Sequence, residues 1–322
     1  MRRRDLVAGL LALSGGAWLP GCSARRTLRV GLHTWIGYES LYLAEGFGWL
    51  PEGVLLHSTA NASASLAALH EGRVEVVALT LDEVLLGRAQ GLPLTAVLVF
   101  NVSAGADVLV VRPEVTELAQ LAGQRVAVER SVLGELMLAK VLARAGLQEE
   151  QVEVVDLPPD RQLAGWREGR IDAAVSYEPT ASLLEAEGGR RLFDSRQIPE
   201  TIFDVLAIHR ERIRGREGLL RGLLAAHFVA LDHIRVSRQD ALYRIASRQR
   251  VAPEVVQRAL AGVALPGLAG NRGYLLAGSR FDQAAQLLEQ MLLERDLLPF
   301  EDGRALLFDG RYLPPTDGRR RG

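Results

Sequence analysis

The chain has 322 residues, of which 48% are hydrophobic and 24% charged, and its formal net charge is −1 at pH 7. This composition is typical of a globular protein with one large domain or two medium ones. The balanced charge, without aromatic residues interleaved among basic ones, argues against a nucleic-acid-binding protein.

The first 22 residues have the pattern of an export signal. Three arginines precede an apolar run from Leu6 to Trp18, which is too short to span a bilayer and has the length of a signal-peptide core. The run ends in Leu19-Pro20-Gly21-Cys22, a small-residue-then-cysteine pattern like a bacterial lipobox, and Cys22 is the only cysteine. We predict a lipoprotein signal peptide over 1–22 and a lipid on Cys22. The alternative is a short N-terminal anchor helix with an incidental cysteine.

The predicted location is the periplasm, with the protein anchored to a membrane by its lipid. Ser23 follows the cysteine, and the absence of Asp there resembles Gram-negative lipoproteins of the outer membrane. Arg3 and Arg4 also resemble a twin-arginine signal, so both export routes stay open.

From Leu28 onward, short apolar runs alternate with helical stretches. Strands are predicted over 28–32, 54–56, 74–79 and 94–100, and again over 108–111, 126–128, 152–155 and 171–175. Helices are predicted over 63–71, 82–90 and 133–145. This alternation predicts parallel sheets covered by helices. After a last strand over 205–208, helices over 219–236, 241–248, 253–260 and 281–293 form a helical C-terminal part.

One short sequence recurs. Glu71-Gly72-Arg73-Val74-Glu75 returns as Glu168-Gly169-Arg170-Ile171-Asp172, 97 positions later. In both, a helix is predicted to end at glycine and a buried strand to begin. The recurrence indicates either two lobes built on one plan or a common helix-to-strand turn used twice.

No enzyme motif is present. The chain lacks a Gly-x-Ser-x-Gly elbow, a phosphate-binding Gly-Lys-Ser/Thr loop and a His-Glu-x-x-His helix, and its six histidines are not spaced as metal ligands. We therefore predict no catalytic residue, no cofactor and no metal site.

Polar and aromatic residues cluster at the carboxyl ends of the predicted strands, where open α/β sheets bind ligands. Trp35 and Tyr38 are expected to sandwich a small molecule, unless both rings belong to the core. Gly37 would let the backbone approach the ligand, and Ser131 would cap a helix whose N–H groups face the crevice. The complete set of predicted ligand-binding residues is Trp35, Gly37, Tyr38, Glu39, Thr80, Asp82, Asn101, Ser131, Tyr177, Glu178 and Asp204.

Two segments resemble a known family. Trp35-Ile-Gly-Tyr38 with Leu41-Tyr-Leu-Ala44, and the run from Glu168 to Pro179, are similar to the nitrate/sulfonate/taurine and thiamine-pyrimidine substrate-binding proteins of ABC importers. The resemblance implies a type 2 periplasmic-binding-protein fold. In that fold two α/β lobes with mostly parallel sheets close on the ligand about two crossovers, here near Asp107 to Val110 and Ile198 to Val205.

The resemblance also divides the chain. It implies a first lobe from 23–107 and 201–313, a second lobe from 108–200, and a disordered tail over 314–322. The implied function is capture of a small organic molecule and its delivery to an ABC permease and ATPase, and we expect a monomer. The alternatives are an enzyme on the same fold, such as a menaquinone-pathway lyase, and a binding protein that reports to a membrane sensor.

The charge of the predicted crevice departs from a sulfonate or nitrate site, which needs cations or several N–H donors. Its loops carry six acids and one basic residue, Arg130; the acids are Glu39, Asp82, Glu83, Asp107, Glu178 and Asp204. Because a buried carboxylate without a partner is costly, we predict a neutral or cationic nitrogenous ligand, such as an aminopyrimidine or an amine, stacked on Trp35 and Tyr38. The alternative is that most of these acids point to solvent or cap helices.

Overall fold

The computed structural model describes residues 27–294, 298 and 304–315. The predicted signal peptide, Cys22 and most of the predicted tail lie outside these residues. Within them, no helix combines the length and the apolar character needed to cross a membrane.

The strands fall into two separate sheets. In chain order they are β1 (Leu28–Leu32), β2 (Val54–Ser58), β3 (Val76–Thr80), β4 (Leu94–Ser103), β5 (Asp107–Val111), β6 (Arg125–Val128), β7 (Glu153–Asp156), β8 (Ala173–Tyr177), β9 (Arg190–Asp194), β10 (Phe203–His209) and β11 (Val263–Ala264). The first sheet has the order β11-β4-β10-β3-β1-β2, and the second has the order β7-β6-β8-β5-β9.

Helices cover these sheets and form the C-terminal part. They are α1 (Glu39–Gly46), α2 (Ala62–His70), α3 (Leu81–Ala89), α4 (Val132–Ala145), α5 (Pro159–Arg167), α6 (Thr180–Ala186), α7 (Glu217–Val236), α8 (Arg238–Gln249), α9 (Pro253–Ala261), α10 (Leu268–Tyr274) and α11 (Arg280–Glu294). Strands β3, β4, β5 and β10 are buried along their whole length, as expected for strands with both faces covered.

Both sheets follow one plan. Three parallel neighbours, β2-β1-β3 in the first sheet and β7-β6-β8 in the second, are followed by a strand of opposite direction, β10 or β5. That reversed strand then pairs antiparallel with β4 or β9. The predicted α/β fold of two lobes is confirmed, but both sheets are mixed, because β10 and β11 run against the other strands of the first sheet and β5 against those of the second.

The chain passes between the sheets at 104–106 and 195–202, next to the predicted crossovers. Asp107 to Val110 and Val205 themselves lie inside strands β5 and β10. The two connections are tied together by Ser195 Oγ, which lies 2.7 Å from Ser103 Oγ and accepts a hydrogen bond from Gly105 N at 2.7 Å.

The recurring sequence occupies equivalent places in the two lobes. Gly72 and Gly169 end α2 and α5 with φ of +71° and +68°, a conformation that favours glycine. Glu75 binds Arg29 on β1, and Asp172 binds Arg125 on β6, each through the arginine backbone N–H and its guanidinium. The repeat therefore marks the same helix-to-strand turn and the same ion pair in both lobes.

Candidate functional site

A small cavity lies where the two lobes face each other. Its lining residues are His33, Trp35, Ala62, Thr80, Glu83, Asp107, Glu129, Ser131, Leu133, Tyr177 and Asp204. A second small cavity shares Asp107, Glu129, Ser131, Leu133 and Tyr177 with it and continues toward Met137. Through these shared residues the two cavities adjoin each other between the lobes.

Strand directions explain why these residues meet. Thr80 and Tyr177 end the parallel strands β3 and β8, so their side chains reach the carboxyl edge of each sheet. The reversed strands begin at that edge. Asp204 of β10 therefore pairs with Thr80, and Asp107 of β5 pairs with Tyr177.

Helix α4 starts at the cavity wall. Ser131 is its N-cap and its Oγ accepts a hydrogen bond from Gly134 N at 3.1 Å, so the predicted capping role of Ser131 is confirmed. A Cβ on Gly134 would lie 2.1 Å from the carbonyl oxygen of Glu129. Glycine at 134 thus lets the loop that carries Glu129 lie against the first turn of α4.

The two aromatic rings that line the cavity come from different lobes. Trp35 and Tyr177 meet edge to face, with ring centroids 5.6 Å apart and planes at 86°. Tyr38 is fully buried behind the cavity and packs against Phe100 and His33 at 5.0 and 5.2 Å between centroids. The expected sandwich of Trp35 and Tyr38 is wrong, because Tyr38 belongs to the core; Tyr177 faces Trp35 instead.

A hydrogen-bonded chain holds Trp35 and Asp204. The Tyr38 hydroxyl donates to Asp204 Oδ1 at 2.7 Å. The Asn101 amide is oriented so that its nitrogen donates to Asp204 Oδ2 at 3.0 Å and its oxygen accepts from Trp35 Nε1 at 3.1 Å. A Cβ on Gly37 would lie 1.9 Å from the side-chain amide of Asn101. Gly37, Tyr38 and Asn101 therefore do not line the cavity, and they position residues that do.

Four carboxylates line the cavity: Glu83, Asp107, Glu129 and Asp204. Glu83 Oε2 accepts a hydrogen bond from Thr80 N at 2.9 Å, and Asp204 has the two donors described above. Asp107 Oδ2 and Glu129 Oε1, by contrast, are buried without a hydrogen-bond partner anywhere in the described chain. Asp107 is 2% exposed and Glu129 is 9% exposed.

Burial raises the pKa values of these acids. The pKa of Asp107 rises to about 7 because burial, together with the negative charges of Asp82 and Glu178, outweighs the lowering effect of a hydrogen bond with the Ser103 side chain. The pKa of Glu129 rises to about 7 by burial and by the charges of Asp160 and Asp156. Near neutral pH each of these two carboxyls is therefore present in both its protonated and its ionised form.

The cavity contains little positive charge to balance the acids. Among its lining residues only His33 has a basic side chain, and burial lowers the pKa of His33 to about 4, so its ring is neutral at pH 7. Arg130 lines an outer groove that shares Glu83 and Ser131 with the cavity. Its side chain is 47% exposed and pairs with Glu135.

The remaining predicted acids are elsewhere. Glu39 pairs with Arg248 and accepts from Gln249 Nε2 at 2.6 Å, in the contact between α1 and α8. Glu178 accepts from Arg191 Nη2 at 2.9 Å and from Ser182 N at 3.1 Å. Asp82 is fully buried in the first turn of α3. None of these three lines the cavity, because internal arginines or the helix packing hold them away from it.

Of the predicted binding residues, the structure brings Trp35, Thr80, Ser131, Tyr177 and Asp204 to the cavity. It also places six residues there that were not in the predicted set: His33, Ala62, Glu83, Asp107, Glu129 and Leu133. His33 and Glu129 come directly after β1 and β6, so the carboxyl-end rule itself could have found them. In the described part of the chain, no group of three His, Cys, Asp or Glu residues is placed to hold a metal ion.

Comparison with known proteins gives the family. The family model described as NMT1-like matches residues 23–248. The chain belongs to this family. It is 28% identical over 138 residues to the taurine-binding periplasmic protein of Escherichia coli strain K12, a match that covers 43% of each protein.

Solved structures share its fold. The alkanesulfonate-binding protein SsuA from Xanthomonas axonopodis pv. citri, bound to MOPS, superposes with a TM-score of 0.73 at 20% identity, covering 89% of this chain and 98% of that protein. The desulfurization enzyme DszB has a TM-score of 0.63 at 18% identity, covering 90% of this chain and 97% of the enzyme. The same architecture thus occurs in binding proteins and in an enzyme.

Proposed function

We propose that this protein is a solute-binding protein, which captures a small organic molecule between its lobes and delivers it to an ABC importer. The observation that carries the proposal is the cavity lined from both lobes. Thr80 and Asp204 of the first sheet face it together with Trp35, which follows β1, and Asp107 and Tyr177 face it from the second sheet. A ligand there would contact both lobes at once and would hold them closed. The similarity to the taurine-binding and alkanesulfonate-binding proteins supports this role.

The cellular setting is part of the same proposal. The protein would work in the periplasm, anchored through a lipid on Cys22 and, in a Gram-negative cell, at the outer membrane. It would act as a monomer that docks on a permease and ATPase encoded elsewhere. The bounds 23–107, 108–200 and 201–313 for the lobe segments, and 314–322 for the tail, remain predictions.

Two alternatives share the fold. The similarity to DszB keeps an enzymatic role as the second candidate, and a sensor subunit would use the same cavity without an importer. Binding and catalysis differ in the fate of the ligand. A binding protein should return its ligand unchanged, and its melting temperature should rise with ligand concentration by mass action.

The test is a ligand screen by thermal shift, followed by mass spectrometry of the recovered ligand. Quenching of tryptophan fluorescence should accompany binding, should disappear in Trp35→Phe and should persist in Trp49→Phe, because Trp35 lines the cavity and Trp49 does not. Chemical conversion of the ligand would contradict the proposal. So would quenching that depends on Trp49 rather than on Trp35.

A further inference from the structure

We propose that the cavity recognises its ligand through a protonated amine, which the carboxylates of Asp107 and Glu129 bind beside the rings of Trp35 and Tyr177. This inference rests on the proposed function and names the chemical class of the solute. It differs from anion recognition, which the names of the sulfonate-binding relatives would suggest.

Two carboxylate oxygens at the cavity lack hydrogen-bond donors. Asp107 Oδ2 and Glu129 Oε1 are buried acceptors without a donor in the described chain, and both residues line the two adjoining cavities. Leaving such groups unsatisfied is costly. A protonated amine carries three N–H donors and one positive charge, so it supplies what both carboxylates lack.

The charge of the cavity lining also favours a cationic ligand. Glu83 and Asp204 also line the cavity, and the one basic side chain among the lining residues, His33, is neutral at pH 7. Burial raises the pKa of Glu83 and of Asp204 well above its ordinary value, so Asp107 and Glu129 supply the negative charge, which attracts a cation and repels an anion placed beside them. The faces of Trp35 and Tyr177 would add a favourable cation–π term.

Two kinds of amine share this chemistry. A plain amine would use only the acids and rings. An amine that also carries a sulfonate would in addition place its anion near the N–H groups at the start of α4, beside Ser131. Isothermal titration of the purified protein at pH 7.5 separates the cases with matched probes: 2-aminoethanesulfonate against ethanesulfonate, and 1,4-diaminobutane against 1,4-butanediol.

In at least one pair, the amine should bind and its amine-free partner should bind at least about tenfold more weakly, the equivalent of one lost charge-assisted hydrogen bond. Asp107→Asn and Glu129→Gln should each weaken binding of that amine by about 10- to 100-fold. Glu168→Gln is the control, because Glu168 is exposed and pairs with Arg170 far from the cavity. Melting temperatures of the variants verify that they fold.

The number of protons released on ligand binding is a second measurement that tests the proposal. Asp107 and Glu129 have pKa values raised to about 7, so binding of a cation should expel protons and should tighten as pH rises from 6 to 8. Titrations in two buffers of different ionisation enthalpy measure that release. The charged and titratable groups that face the pair are Asp82, Glu83, His33, Asp156, Asp160, Tyr177, Glu178 and Asp204.

Several results would overturn the proposal: equal affinity for the amine and amine-free probes, unchanged affinity in both acid-to-amide variants, or no binding by any amine. Binding of Zn²⁺ or Ca²⁺ alone, with the amines inactive, would overturn it as well. Tight binding of ethanesulfonate would leave the proposed solute-binding function standing and reject only the amine. Conversion of a probe to product would reject the solute-binding function itself.

Discussion

The carboxyl of Asp107, whose Oδ2 is buried without a hydrogen-bond partner in the described chain, should make the closed, ligand-free protein less stable than it would be with a neutral side chain. Its pKa is raised from 3.8 to about 7, a shift that corresponds to roughly 4 kcal/mol when the group is fully ionised. An acid with a raised folded-state pKa destabilises the fold as pH rises through the interval between its unfolded and folded pKa values. The penalty is absent below pH 3.8 and complete above about pH 7.

Asp107→Asn removes this penalty and keeps the shape of the side chain. The new amide N–H group lacks an acceptor, which costs about 1–3 kcal/mol at every pH, so we expect a net gain of about 1–3 kcal/mol at pH 8. The advantage of the variant should be larger at pH 8 than at pH 5 by roughly 2–3 kcal/mol, because only part of the penalty has developed at pH 5.

Urea unfolding of both proteins at pH 5 and pH 8 measures the difference. Asp172→Asn is the matched control, because Arg125 lowers the pKa of Asp172. The same substitution should there reduce stability at pH 8, and the loss should fade as pH falls through the lowered pKa. A pH-independent difference between Asp107→Asn and the parent would refute the reasoning, since it would mean that this carboxyl does not bear an uncompensated charge.

Three further substitutions test other parts of the structure. Gly37→Ala should lower the free energy of unfolding by about 1–3 kcal/mol and should weaken ligand binding, because the added Cβ would meet the Asn101 side chain at 1.9 Å. Unchanged melting temperature and unchanged affinity would show that the loop around Gly37 shifts to accommodate the Cβ. Glu178→Gln should lower the free energy of unfolding, measured with denaturant, by about 1–3 kcal/mol, because it weakens the contact with Arg191. Ligand affinity should not change, and a large loss of affinity would place Glu178 at the ligand. Cys22→Ser should abolish incorporation of a fatty-acid analogue and leave the precursor uncleaved, whereas an unlabelled parent would contradict the predicted lipoprotein.

The sequence predicted the strands correctly where they are buried, because buried strands consist of apolar residues. Strands β3 and β4 are buried throughout, and their apolar runs are visible in the sequence. Strand β9, Arg190–Asp194, was missed because it is a partly exposed edge strand with two arginines, and β11 has only two residues. Such elements are fixed by pairing with a neighbour, which local sequence does not record.

The sequence predicted those residues of the candidate site whose position follows from the direction of a strand. The carboxyl-end rule located Trp35, Thr80 and Tyr177, but it passes over Asp107, which begins a strand. Glu39 could not be excluded from the sequence, because its partner Arg248 lies 209 residues downstream. Whether an acid near a crevice faces the ligand or an arginine depends on such distant partners.

Comparison of the two lobes indicates which acid is left for the ligand. Asp204 on β10 lies opposite Thr80, the last residue of β3, and Asp107 on β5 lies opposite Tyr177, the last residue of β8. The two acids thus occupy equivalent positions in one repeated plan. Asp204 is satisfied within its own lobe by Tyr38 and Asn101, while Asp107 Oδ2 has no partner in the described chain.

This difference has a consequence for closure. When the lobes are apart, water can solvate Asp107, and the carboxylate costs little; when they close, that water is lost and the charge needs a partner. Asp204 keeps its hydrogen-bond partners Tyr38 and Asn101 in either state, because all three belong to the same lobe. An amine that neutralises Asp107 would bind the closed state better than the open one, and only such a differential affinity can drive closure. We therefore expect small-angle X-ray scattering to show compaction of the protein with a bound amine, and expect the same amine to cause less compaction of Asp107→Asn at equal occupancy. Equal compaction of both proteins would show that closure does not depend on this carboxylate.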